Sequence, residues 1–184
     1  MQLDYEMCKD GDKTFLQLLR ETRSSLSKDK LLSVATPMWL PLAFHAWGWS
    51  ENYFAQVAGS CDQIVVMGYD SALFFPRHYV WLMQQQSIRV TRSVARGNSQ
   101  YRVLVGIPTY KDGGISHHLH AENIRMALKG VREGLADENA NLSAFASVAI
   151  FSYDSTNHSE WQTYRNFWLS RNKANSRFND PKEK

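Results

Sequence analysis

Short apolar, β-branched runs recur along this chain at a spacing that few folds accommodate. Gln2-Leu3-Asp4-Tyr5, Leu31 to Thr36, Gln63 to Met67, Arg102 to Ile107 and Ser147 to Phe151 each read as a buried strand. They begin at residues 2, 31, 63, 102 and 147, at intervals of 29 to 45 residues. Each interval has room for one strand, one helix and two loops, the βαβ unit of roughly 30 or more residues. The intervening segments carry helical periodicity. Phe15, Leu18, Leu19, Thr22 and Leu26 share one face, with Asp12 placed to cap the helix. Ile124, Ala127, Leu128, Val131 and Leu135 repeat the pattern, with Gly134 near the end. Further helices are expected over Glu51 to Ala58, Arg77 to about Ala95, and Ser159 to Leu169. On the helix from Arg77, Arg89, Arg92 and Arg96 fall on one side and read as a solvated stripe. The expected fold class is therefore α/β with parallel strands. It takes the form of about five β/α units of a partial (β/α)8 barrel over residues 1–170, followed by a polar tail at 171–184.

Composition removes several function classes. The 184 residues carry 21 Lys and Arg against 18 Asp and Glu, a balance unlike the dense basic face of a nucleic-acid binder. No apolar run approaches the roughly 20 residues that cross a bilayer. Cys8 and Cys61 are too few and too far apart for a disulfide framework or a structural zinc site, and both are expected as free thiols. Neither G-x-G-x-x-G nor the P-loop pattern occurs, so no nucleotide cofactor is expected, and none of another kind. The run His117-His118-Leu119-His120 near Asp112 offers metal-ligand chemistry, but it sits in a glycine-containing loop without a second cluster. Surface or substrate-contacting histidines are the preferred reading, and no metal is assigned.

Position directs attention to the strand ends. Asp4-Tyr5-Glu6, Gly68-Tyr69-Asp70, Pro108-Thr109-Tyr110 and Ser152-Tyr153-Asp154 each follow an apolar run with groups capable of chemistry. In a (β/α) barrel the C-terminal strand ends jointly form the site. Asp4 and Glu6 are two apart and would face one side of an extended strand. Such a pair either holds a proton near neutrality and serves as general acid, or pairs with a cation. Aromatic residues gathered in one loop (Trp39, Phe44, Trp47, Trp49) either line a cleft or form a local cluster.

These segments together resemble glycoside hydrolase family 18, the chitinase-like barrels. Leu3-Asp4-Tyr5-Glu6 resembles the end of that family's D-x-x-D-x-D-x-E signature on strand four. Met67-Gly68-Tyr69-Asp70 resembles its M-x-Y-D motif on strand six. Val105 to Tyr110 resembles the G-x-P-x-Y segment on strand seven, and Val148 to Asp154 resembles strand eight. The resemblance implies substrate-assisted retaining hydrolysis of N-acetylhexosamine glycans of the chitin or peptidoglycan type, in which no enzyme nucleophile is needed. It implies Glu6 as acid and later base, Asp4 as the partner of the acetamido N–H, and Tyr69 as a donor to the acetamido oxygen. It assigns sugar contacts to Asp70, Tyr110 and Trp39. Gln2 stands where the family's middle aspartate is expected, and Phe151 where a tryptophan usually floors the sugar site. A non-catalytic carbohydrate-binding relative, or a degenerate fragment, is the alternative. The match begins inside strand four, and five strands cannot close an eight-stranded barrel. The resemblance thus implies the C-terminal part of a longer, exported protein, with little activity expected of this piece alone. Its localisation cannot be read from this piece, and its two open sheet edges could pair with another copy.

Overall fold

A computed structural model describes residues 1–5, 9–44, 46–97 and 102–170. The polar tail at 171–184 lies outside the described residues, as do Glu6, Cys8 and His45. Five strands, β1 (Gln2–Asp4), β2 (Ser33–Thr36), β3 (Gln63–Val66), β4 (Arg102–Pro108) and β5 (Phe145–Phe151), form one sheet. They lie in the order β1-β2-β3-β4-β5, and every neighbouring pair is parallel. The fold is α/β with an open parallel sheet, an arrangement consistent with part of a (β/α) barrel. Right-handed crossovers that always step in the same direction place their helices on the same face of a sheet.

Strand boundaries differ modestly from the apolar runs. Leu31 and Leu32 precede β2, because the ladder begins where Ser33 stands between Gln2 and Gln63. Leu31 is exposed while Leu32 is fully buried. β5 starts two residues earlier than its apolar run, where Phe145 pairs with Val103 across a register shift.

Among the described residues the α-helices are α1 (Lys13–Ser25), α2 (Glu51–Ala58), α3 (Pro76–Gln85), α4 (Thr91–Gly97), α5 (Ile124–Leu135) and α6 (His158–Tyr164). Asp12 caps α1 as its sequence position predicts, its Oδ1 accepting from the N–H groups of Thr14 at 2.8 Å and Phe15 at 3.1 Å. The buried face of α1 is Phe15, Leu16 and Leu19, whereas Leu18 is exposed, so the apolar stripe is rotated from the expected one. The single long helix expected near Arg77 to Ala95 is α3 and α4 joined through a π-helical turn at Gln86–Val90. Within that turn the buried Gln86 accepts from Trp39 N–H at 2.7 Å and donates to Trp39 C=O at 2.9 Å. A buried amide needs such partners, and here it joins the turn to the chain leaving β2. A second π-helical turn, Arg165–Leu169, extends α6.

The two faces of the sheet differ. Val34, Ile64, Val66, Val103, Val105, Ile107 and Val148 are buried on the helix-covered side. The alternating residues Ala35, Gln63, Val65, Leu104, Gly106 and Ala149 line a hollow of about 530 Å³ on the opposite side. In the helix layer α3 packs on α5 at glycine contacts. A Cβ on Gly130 would lie 2.4 Å from the Val80 carbonyl oxygen, and one on Gly134 would lie 2.5 Å from that of Gln84. Arg89, Arg92 and Arg96 keep 35 to 57% side-chain exposure, as expected of a solvated stripe, but they are also paired. All three converge on Glu51 of α2, at 2.7, 2.8 and 3.2 Å. No helix among the described residues is long and apolar enough to cross a membrane.

Candidate functional site

Beyond β3 the chain runs Met67-Gly68-Tyr69-Asp70 over the C-terminal edge of the sheet. Gly68 is required by contact. A Cβ there would meet the Gly106 carbonyl oxygen at 2.4 Å and Met83 Cε at 2.6 Å. Its own carbonyl accepts from the buried Tyr79 hydroxyl at 2.6 Å. Burial foremost keeps that phenol protonated well above the ordinary tyrosine range, so it stays a donor.

An aromatic group forms where three strands end. The Tyr69 and Phe151 rings stack with centroids 4.8 Å apart and planes 11° from parallel. Tyr110 meets both edge-on, at 5.9 and 5.8 Å. These are ordinary attractive geometries for aromatic quadrupoles. Phe151 remains 47% exposed, leaving apolar ring surface at the rim. β4 and β5 are tied together at this end, where Thr109 N–H donates to the Phe151 carbonyl at 2.7 Å and Thr109 Oγ1 donates to that of Ser152 at 3.0 Å.

Asp70 is held from two sides. Its Oδ1 accepts from the Tyr110 hydroxyl at 2.8 Å and the Ser116 hydroxyl at 3.3 Å. Burial, then the hydrogen bond to Asp70 and its charge, push the Tyr110 phenol far above its usual range, which keeps it a proton donor. The backbone at Asp70 and Ala72 has φ of 57°, a left-handed conformation uncommon for residues with a Cβ. Glu122 stabilises this turn. Its carboxylate accepts from Asp70 N–H and Ser71 N–H, both at 2.9 Å, and from the Ser71 hydroxyl. His117 Nδ1 lies 2.9 Å from the same carboxylate. Glu122 is 1% exposed and His117 2% exposed, so the pair is removed from water. A buried carboxylate is tolerated when several donors converge on it. The His117 ring also stacks on Tyr110 at 4.2 Å, which joins the carboxylate to the aromatic group.

Most of the residues expected at the site gather here. Gln2, Asp4, Tyr69 and Phe151 line the 530 Å³ hollow on the open face. Tyr69 and Asp70 also line an adjoining hollow of about 210 Å³ with Pro37, Met38, Trp47 and Met67. Trp39 is a correction. It is 7% exposed and packs in the core, with the Arg89 guanidinium 4.4 Å from its ring centroid and its backbone held by Gln86. Trp47, from the same loop and 75% exposed, stands at the hollow instead. The three neighbouring histidines are divided. His117 faces Glu122, while His118 and His120 flank Phe74 at 5.4 and 4.6 Å. Among the described residues no group of three or more His, Cys, Asp or Glu side chains is placed to hold a metal ion.

Sequence reasoning did not single out Glu122. It sits beside the Asn123 cap of α5, and nothing in its local pattern announces a bond to residues about fifty positions earlier. His117, expected at the surface or against substrate, is instead 2% exposed and paired with Glu122. Compared with protein-family models, with curated proteins and with solved structures, the chain matches none of them.

Proposed function

We propose that this face binds N-acetylhexosamine glycans of the chitin or peptidoglycan type and belongs to a substrate-assisted glycosidase. The observation that carries the reading is the cluster at the strand ends. Tyr69 stacks on Phe151, and Tyr110 joins the same group while donating to Asp70. Sugars are recognised by such pairings, since ring C–H surface rests on an aromatic face while hydroxyls meet carboxylates and phenols. In this reading Asp4 receives the acetamido N–H, Tyr69 supports the acetamido oxygen, Asp70 accepts from a sugar hydroxyl, and Phe151 floors the ring. Gln2 lines the same hollow and offers an amide to the sugar. Glu6, two residues beyond Asp4 in sequence, supplies the proton to the departing oxygen and then activates water.

A non-catalytic glycan-binding role is the second reading, favoured by the neutral Gln2 beside Asp4. A second carboxylate at Gln2 would have coupled to the acid pair electrostatically, and an amide does not. Titration with N,N′,N″-triacetylchitotriose, alongside an assay of reducing ends, separates the two. Saturable binding with sugar release that Glu6→Gln abolishes supports the hydrolase. Binding without release selects the second reading when it holds also for a longer chain that supplies the three preceding strands of the barrel. No binding at millimolar sugar, with the Tyr69→Ala variant indistinguishable from the parent chain, removes both.

A further inference from the structure

A third and larger hollow, of about 590 Å³, opens behind Asp70. Met38, Leu40, Phe44, Trp47, Leu73 and Trp81 supply most of its wall. Three of these are aromatic side chains held at the surface, with Phe44 at 51%, Trp47 at 75% and Trp81 at 47% exposure. Apolar surface gathered in a concavity of this size is characteristic of a small-molecule site.

The hollow adjoins the glycan face. It shares Met38, Trp47 and Asp70 with the 210 Å³ hollow, which in turn shares Met67 and Tyr69 with the 530 Å³ hollow of the open sheet face. The three follow one another across the ends of β2 and β3. Polar character falls along this path. The open sheet face presents Gln2, Asp4 and Gln63, whereas the polar groups lining the third hollow are Asp70, Ser71, Ser116 and the indole N–H groups of Trp47 and Trp81. Asp70, Ser71 and Ser116 are already engaged, Ser71 donating to Glu122 and Asp70 accepting from Tyr110 and Ser116. A sugar ring placed there would leave several hydroxyls without partners, at a desolvation cost. An alkyl chain would lose no hydrogen bonds.

We propose that the hollow lined by Leu73, Trp47 and Trp81 receives an alkyl aglycone, so that the ligand is an N-acetylhexosaminide carrying an apolar tail. The assignment rests on the glycan reading for the sugar end and adds the chemistry of the other end. Asp70 marks the boundary between the two, with the sugar on its Tyr69 side and the tail on its Leu73 side.

Three probes, each titrated into the full chain below any micelle-forming concentration, test this. They are methyl β-N-acetylglucosaminide, n-hexyl β-N-acetylglucosaminide and 1-hexanol. The hexyl glycoside is expected to bind at least about tenfold more tightly than the methyl glycoside, since each methylene buried from water contributes favourably. Phe44→Ala and Trp81→Ala, at residues that line this hollow and not the two sugar-side hollows, are expected to remove most of that gain while leaving the methyl glycoside's affinity within about twofold. Both side chains are substantially exposed, and thermal unfolding of each variant checks that the fold survives. Equal affinities for the two glycosides would overturn the aglycone site and leave the glycan reading intact. Hexanol binding as tightly as the hexyl glycoside, with no detectable methyl glycoside binding, would overturn the glycan reading and with it this proposal. A hexyl gain that survives both the Phe44 and the Trp81 variant would also overturn it, because the tail would then lie elsewhere.

Discussion

Two carboxylates with many partners, Glu51 and Glu122, do different work in this molecule. Glu51 begins α2 and gathers three arginines from the helical segment that spans the π-turn and α4. Its side chain is 19% exposed, and its partners are 35 to 57% exposed. Glu122 is fully enclosed and gathers two backbone N–H groups, a hydroxyl and a histidine. The first ties helix to helix through partly hydrated cations. The second fixes a left-handed turn whose side chain, Asp70, faces the candidate site. Formal charge pairing therefore indicates less about importance than what the donors belong to. Removing a partner from water-exposed arginines leaves them hydrated, whereas removing Glu122 strands backbone donors in the interior.

The sharpest way to break this comparison is to delete each carboxylate. Glu122→Ala is expected to destabilise the fold by about 3–5 kcal/mol, the range for breaking a buried hydrogen-bonded charged group, as measured by urea unfolding. Glu51→Ala should cost only about 1 kcal/mol, because exposed and half-exposed ion pairs are screened by water. Equal losses would show that the two clusters are energetically alike. A subtler contrast uses the amides. Glu122→Gln is expected to weaken triacetylchitotriose binding several-fold by loosening the Asp70 turn, and Glu51→Gln to leave it unchanged.

Acid supplies a further test. Burial opposes ionisation of Glu51, yet hydrogen bonds and charges from Arg92 and Arg89 outweigh it and hold its pKa below the ordinary carboxylate value of 4.5. A depressed folded-state pKa contributes stability above the unfolded value. That contribution fades as pH falls from there through the folded value. Unfolding free energy should therefore drop below about pH 4.5, and less steeply in Glu51→Gln than in the parent chain. The smallest expected effect is that of Tyr110→Phe. Losing one half-buried hydrogen bond to Asp70 should cost about 1 kcal/mol or less in stability. At alkaline pH the sign reverses for this phenol. Its raised pKa means that the unfolded chain ionises first, so its contribution is lost as pH rises above about 10. The parent chain should lose stability there more steeply than Tyr110→Phe.

The β/α alternation was legible because it is written in local periodicity. β3 and α2 fall where their apolar runs and helical period place them, and Asp12 caps α1 through a bond spanning three residues. The gathering of Tyr69, Asp70, Tyr110 and Phe151 was legible too, since parallel strands in sequential order bring their C-terminal ends to one edge. Trp39 and Trp47 were not separable in the same way. Both sit in one loop with similar neighbours, and what divides them is Gln86, 47 positions away from Trp39. The pairing of the arginine stripe was not legible because its partner, Glu51, lies on another helix, 38 to 45 positions earlier.

Strand number, helix placement and the edge at which chemistry gathers were thus determined by the sequence read locally, because each depends on spacing within a few residues. Which aromatic is buried, which carboxylate holds Asp70 and where the apolar hollow lies were decided only in three dimensions. Those outcomes depend on which distant donors can reach a group once water is excluded, and hydrogen-bond satisfaction in an interior is a property of the packed whole.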